Sequence, residues 1–380
     1  DRASMKQDVL TFDGFVSNVQ YTACLAEKLP EYDFCDFDIN KARPCGKIIV
    51  PDGSVAYSKW VSPKRTRSYP FARLYDILNA PKRITVIPVL KDEGIDGDLD
   101  RIQFSTISWM NLFDIYIVLA YYESAVRNSR AGQSKRNKIS KQSFSPDFVE
   151  RQILDILKYK NSALHWNFNL LETSFVDIYR KALDSYQVIS RQTGIKMHDR
   201  KAQEKYLEKV KANFDDFKNL SLSGSKNASI REAAVVHHNE HLSDGSKVRL
   251  NIRNYLGGVY YLTADEVIKE GDRYVIQESK NSTKGSLPSL DDIKDGLFKI
   301  ALFSNIDALL LEGQKVDFIV RLKLTGKDIY GTLFMPCSSC ELDRFITENR
   351  LNERRAKVIR GLYDECLYNK RIQIHIAPNQ

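Results

Sequence analysis

The chain has 380 residues, of which 43% are hydrophobic and 11% aromatic, enough to bury one large core or two ordinary ones and too many for a disordered chain. Lysine and arginine number 57 against 49 acidic residues; this formal excess of +8 suits a polyanionic partner, because phosphate binding releases counterions. No run approaches the roughly 18 uncharged apolar residues a membrane helix needs, and the opening Asp1-Arg2-Ala3-Ser4-Met5 lacks the apolar core of a secretion signal, so a cytoplasmic protein without membrane attachment is expected.

In chain order, the first dense basic segment is Lys64-Arg65-Thr-Arg67-Ser-Tyr69. Ile84-Thr-Val-Ile-Pro-Val-Leu90 is β-branched and bounded by charge, which predicts a strand. The acidic run Lys91–Asp100 follows. Asp96, Asp98 and Asp100 mimic the start of a calcium loop, but Arg101 stands where that loop needs glycine and Ile107 stands at its last ligand position. The run reads as a solvated loop or as a second carboxylate site. Ile107–Phe113 fits a short helix and Ile115–Tyr122 a buried strand.

From Arg127 to Lys141 the apolar signal stops. Arg127, Arg130, Lys135, Arg136, Lys138 and Lys141 lie among Ser, Asn, Gln and Gly, the pattern of a basic loop or linker. Helical spacing then begins at Ser145-Pro146, an N-cap with proline in the first turn, and continues through Val149, Ile153, Ile156 and Leu157. Leu170–Ser190 and Lys201–Phe217 fit two further amphipathic helices, and Ser221–Asn227 a loop.

The remainder predicts a mixed α/β core: a helix at Ile230–Glu240, strands at Val248–Ile252, Val259–Leu262, Tyr274–Gln277 and Val316–Leu324, and a helix at Ser289–Phe303 capped by Ser289. Cys337 and Cys340 form a lone Cys-x-x-Cys to which Cys366 adds only one more sulfur; reduced thiols are expected, with a zinc site or a disulfide as the alternatives. His237, His238 and His241 do not have the spacing of a zinc-binding HExxH helix.

The stretch richest in chemistry runs from Tyr261 to Asn281. An apolar strand ends at Asp265, a polar turn covers Lys269–Arg273, and a second strand, Tyr274-Val-Ile, leads into Gln-Glu278-Ser-Lys280. Pairing of the two strands would bring Asp265 and Glu278 together, and strand alternation would put Glu278 and Lys280 on one face. Two converging carboxylates make a hard oxygen site suited to Mg²⁺, and an ammonium beside them can neutralise charge building on a phosphate. An ordinary exposed hairpin with an ion pair would carry the same residues, and Glu266 could take the place of Asp265 on the opposite face.

This stretch resembles the PD-(D/E)XK nuclease superfamily, which includes most type II restriction endonucleases. Asp265, Glu278 and Lys280 match its motif positions, with Ala264 where the motif has proline. Leu287–Asn305 is similar to the helix that follows the motif in several restriction enzymes, and Asn254-Tyr-Leu-Gly-Gly258 to the turn into their metal-bearing hairpin. The resemblance covers about residues 229–325. It implies an α/β (α+β) fold, a mixed β-sheet flanked by helices around a restriction-endonuclease-like core, here with a helical insert and an N-terminal α/β region. It further implies Mg²⁺ on Asp265 and Glu278 with Glu232 as a third carboxylate, catalysis by Asp265, Glu278 and Lys280, double-stranded DNA as substrate, a homodimer, and a bacterial or archaeal source. A non-specific repair or recombination nuclease and a DNA-binding protein without catalysis are the alternatives. The expected division is an N-terminal recognition or dimerisation region (1–142), a helical segment (143–228) and the catalytic core (229–380). DNA contacts are expected from Lys64, Arg65, Arg67, Arg127, Arg130, Lys135, Arg136 and Lys138, since phosphates need long cationic side chains free to reach them.

Overall fold

The computed structural model describes residues 10–64, 70–129, 136–211, 246–254 and 259–379. The chain divides into two units: residues 1–26 with 222–380, and residues 27–221. The three segments expected from the sequence are thus grouped differently. The first strand, β1 (Thr11–Val16), belongs with the C-terminal residues, and the helical segment belongs with the N-terminal sheet.

The unit formed by 27–221 contains, in order, β2 (Glu31–Asp33), β3 (Cys45–Val50), β4 (Gly53–Lys59), α1 (Pro70–Ile77), β5 (Arg83–Pro88), β6 (Leu90–Asp92), β7 (Leu99–Arg101), α2 (Phe104–Leu112), β8 (Tyr116–Ala120), β9 (Tyr122–Arg127), β10 (Ile139–Phe144), α3 (Pro146–Lys158), α4 (Ala163–Asn169), α5 (Phe175–Thr193) and α6 (Arg200–Lys211). Its main sheet has the order β2-β3-β4-β5-β8, with β4, β5 and β8 parallel. The predicted strand at Ile84–Leu90 is β5 and its exit, and every residue of β8 is buried. The expected Ile115–Tyr122 strand breaks at Tyr121, where the chain leaves the sheet for the β9–β10 hairpin. Arg127 and Lys141 therefore flank a hairpin loop and lie on its two strands.

The helices guard the exposed edge of this sheet. An edge strand presents unpaired backbone groups that must be covered or satisfied. Asn167 accepts from the Ile117 amide at 2.8 Å, Trp166 Nε1 donates to the Ile117 carbonyl at 2.9 Å, and Gln152 donates to the Leu119 carbonyl at 2.7 Å. Ser145 is the N-cap of α3 with Pro146 in the first turn, as its sequence predicts. The single helix expected at Leu170–Ser190 is instead a π-helical turn at Leu170–Ser174 leading into α5.

The other unit adds β11 (Ser246–Asn254), β12 (Val259–Glu270), β13 (Arg273–Ser282), α7 (Leu290–Ser304), β14 (Ala308–Leu311), β15 (Gln314–Gly326), β16 (Leu333–Met335), α8 (Ser339–Glu348), α9 (Glu353–Tyr368) and β17 (Ile372–Pro378) to β1. Its mixed sheet runs β13-β12-β11-β1-β14-β15-β17-β16, and β13 also pairs in parallel with β15. The chain is therefore a mixed α/β protein with a large mixed sheet flanked by helices. The N-terminal strand is central to it: β1 pairs with β11 and β14, and Phe12 is fully buried.

β11, β12 and β13 form an antiparallel meander, and α7 crosses back to the sheet, packing on β13 and β15. Ser289 caps α7 by accepting from the Asp292 amide, again as its sequence predicts. Among the described residues no helix is long and apolar enough to cross a membrane. The expected helix at Ile230–Glu240 and the Ser221–Asn227 loop lie outside the described residues.

Candidate active site

The hairpin carrying the motif is longer than its sequence suggests. β12 does not stop at Asp265 but continues to Glu270, and the turn is the pair Gly271-Asp272, with Gly271 at φ 61° where a side chain would be strained. Val267 and Ile268 extend the strand because they pair with Ile276 and Val275. The register joins Glu266 to Gln277, and one step further along the ladder lie Asp265 and Glu278. The Asp265 carboxylate accepts from the Ser279 amide at 3.0 Å, which ties it to the neighbouring strand.

Glu278 is only 1% exposed. Its Oε1 receives two ammonium groups, Lys299 at 2.5 Å and Lys280 at 3.3 Å. Its Oε2 is buried without a hydrogen-bond partner. Burial raises the proton affinity of Glu278 above the ordinary carboxylate range; Asp265 raises it further, while Lys299 and Lys280 oppose the shift. Lys280 also bonds the Asp295 carboxylate at 2.8 Å, so its head is held between two acids. Alternation thus places Glu278 and Lys280 on one face, the face covered by α7.

Asp295 and Lys299 join the site although they lie outside the acid–turn–acid-x-lysine pattern. They stand four residues apart on α7 and share a face, a spacing that in the sequence is masked by the helix's apolar positions Ile293, Leu297, Ile300 and Ala301. α7 is instead buried over most of its surface, and Lys294 and Asp295 are buried with it. Gly296 makes room for this: a Cβ there would lie 2.7 Å from Leu322 Cδ1 and 3.4 Å from Lys280 Cε.

Glu266, the alternative to Asp265, lies on the opposite face. It accepts a short hydrogen bond from Gln277, with Lys323 and Arg321 close enough to act on it electrostatically. On that face Arg321 binds Glu270 in a bidentate pair at 2.9 and 3.1 Å, which holds Glu270 below the usual carboxylate range. Of the two acids, Asp265 is the one that raises the proton affinity of Glu278.

The other expected residues are scattered. Glu232, Arg65, Arg67, Arg130, Lys135 and the three histidines 237, 238 and 241 lie outside the described residues. Lys64 is paired at 2.7 Å with Asp100, a fully buried carboxylate that also accepts from Ser62. Arg127 and Arg136 are exposed at the β9–β10 hairpin. Lys138 pairs with Glu93 at 2.8 Å. The acidic run is a hairpin formed by β6 and β7: Asp92, Glu93 and Asp100 at its two ends are buried, whereas Asp96 and Asp98 at its tip are exposed, as expected of a solvated loop. Asp92 is occupied by His198 Nδ1 at 2.7 Å and by the amides of Gly94 and His198. All six cysteines are free, and among the described residues no group of three or more His, Cys, Asp or Glu side chains is placed to hold a metal ion. Comparisons of the chain with protein-family models, with curated proteins and with solved structures found no match.

Proposed function

We propose that this chain is a Mg²⁺-dependent endonuclease of the restriction type, hydrolysing phosphodiester bonds of double-stranded DNA, with Asp265, Glu278 and Lys280 as its catalytic residues. One observation carries the reading: Asp265, bonded to the Ser279 amide across the hairpin, acts electrostatically on Glu278 beside the Lys280 ammonium, and Glu278 Oε2 is buried without a hydrogen-bond partner. An orphaned buried carboxylate oxygen is costly unless a ligand uses it.

These residues fit a hard divalent cation. Asp265 and Glu278 Oε2 would hold Mg²⁺ through carboxylate oxygens, and the ion would polarise the scissile phosphate and acidify a bound water. Lys280 would stabilise the negative charge that builds on the phosphate. Asp295 fixes the direction of the Lys280 head, and Lys299 opposes the rise that burial gives the proton affinity of Glu278. Cutting both strands of a duplex needs two such centres, which a homodimer supplies. Arg127 and Arg136, exposed on the β9–β10 hairpin, have the reach for phosphate contacts.

The test is incubation of the purified protein with phage DNA in Mg²⁺ or in EDTA, resolved on a gel. Discrete fragments that appear only with Mg²⁺, and that vanish in Asp265→Ala and Lys280→Ala variants still able to shift DNA, are the expected result. A smear would point to a nuclease without sequence choice. Cleavage retained in both variants would overturn the site assignment.

A further inference from the structure

A pocket of about 410 Å³ in the 27–221 unit is lined by Lys59, the last residue of β4, and by residues that follow the carboxyl ends of the parallel strands β5 and β8. β4 ends at Lys59. β5 runs through Val89 into β6, which carries Lys91 and leads to Glu93. β8 ends at Ala120, and Tyr122 begins the next strand at the pocket wall. Lys138 and Lys141 enter from the β9–β10 hairpin. In α/β sheets the crevice outside the carboxyl ends of parallel strands is where ligands bind.

The charge in this pocket is unbalanced. Its lining has four lysines, Lys59, Lys91, Lys138 and Lys141, and one carboxylate, Glu93. Glu93 is 8% exposed and accepts from Lys91 at 3.1 Å and Lys138 at 2.8 Å. Its burial would raise its proton affinity, yet these two lysines hold it below the usual range, so it stays ionised and cancels one charge only. The Lys59 ammonium donates to the carbonyls of Ile39 at 2.5 Å and Ala42 at 2.6 Å, neutral partners for two of its three N–H groups, while burial, helped by Arg73, lowers its pKa.

The backbone at Lys141 is also unusual. The register of β9 and β10 shifts between Ser140 and Ser143, and Lys141 lies at φ 50°, in the left-handed region that side chains other than glycine rarely adopt. Such bulges re-aim a side chain and collect beside functional sites. Gln142 locks this one, donating to the Asp92 carbonyl at 2.9 Å and accepting from Tyr186 at 2.6 Å. The strain is held in place by buried partners, and it sets Lys141 on the rim of the pocket.

We propose that this pocket binds the phosphate group of a small molecule, a nucleoside monophosphate or a phosphomonoester of similar size. A volume of this order accommodates a phosphate with an organic group attached. A concave site admits the end of a phosphomonoester, whereas the backbone of a duplex would run across its mouth. The inference stands apart from the nuclease reading, since every residue it uses lies in the 27–221 unit.

The experiment is calorimetric titration of the full chain, in EDTA at low ionic strength, with deoxyadenosine monophosphate, inorganic phosphate and deoxyadenosine in turn. One saturable site per chain is expected for the first two ligands and none for the nucleoside. Lys141→Ala, an exposed position, is expected to weaken nucleotide binding roughly tenfold, the loss of one charge-assisted hydrogen bond. Asp265→Asn is expected to bind the nucleotide as the parent chain does, which separates this site from the cleavage assay. Absence of a saturable site, equal binding of deoxyadenosine, or an unchanged affinity in Lys141→Ala would each overturn the proposal. Displacement of the nucleotide by an unphosphorylated duplex would assign the pocket to DNA backbone and overturn it too.

Discussion

The Glu278 carboxylate lies in β13 with one oxygen against two ammonium groups and the other without a partner. Burial raises its proton affinity, so the folded state binds a proton more readily than the unfolded chain does. Above its folded pKa the ionised carboxylate therefore subtracts stability, and this cost fades as the pH falls through the folded pKa towards the unfolded one. Glu278→Gln is accordingly expected to melt no lower than the parent near neutral pH, with the difference closing in acid, while Mg²⁺-dependent cleavage is lost. Thermal melts across that range check this. A much lower midpoint at neutral pH would show that the pairs with Lys299 and Lys280 outweigh burial. The motif residues themselves were legible because an acid, a turn and an acid-x-lysine make a local pattern. Asp295 and Lys299 were not, since a charged pair on a helix reads as solvated until the sheet beneath it is known.

At the scale of elements, the hairpin and α7 form one packed body around Lys280. Gly296 lets the helix approach: adding a methyl there would crowd the buried Leu322 and the Lys280 stem. Gly296→Ala is expected to cost about 1–3 kcal/mol of stability, typical of overpacking, and to lower cleavage further than that loss explains by displacing the Lys280 head. Urea melts and initial cleavage rates measured on the same variant separate the two effects. Gly326→Ala offers the contrast. Its Cβ would fall 2.0 Å from the Ser286 carbonyl, rigid backbone near the entry to α7, so a larger loss of stability is expected. The capping of α7 and the buried β5 and β8 strands were readable from Ser289 and from β-branched runs. The extension of β12 beyond Asp265 was not, because Lys269 and Glu270 read as turn residues although they pair with Tyr274 and Arg273. Short strands such as β2, β6 and β16 have too few residues to show a period.

At the scale of the molecule, the two units differ in how the chain supplies them. The 27–221 unit is one continuous segment with its own sheet and covering helices, whereas the other needs residues 1–26 to complete its sheet. The segment after β1 is fastened by Glu365, fully buried, which accepts from the amides of Cys24 and Leu25 and from Tyr21 Oη. A fragment of residues 27–221 is expected to melt cooperatively alone, and residues 222–380 without β1 to show no cooperative transition by circular dichroism. Within the full chain, Phe12→Ala is expected to destabilise by about 3–5 kcal/mol, as for other buried aromatics. A cooperative 222–380 fragment would mean that β11 and β14 close the sheet without β1.

Composition and local periodicity determined that the chain is a mixed α/β protein, where several of its helices and strands lie, and which hairpin carries two acids and a lysine. Those features depend on residues a few positions apart, whose spacing maps directly onto a helix face or a strand face. Tertiary structure alone decided that Thr11 lies beside Arg249, that Lys299 reaches Glu278, and that Asp92 and Glu93 after β5 are buried against a histidine and lysines. Each of these joins groups distant in sequence. Pairing of distant strands is chosen by the burial of whole faces, and the burial of a charge is repaid only by a partner that the local sequence does not contain.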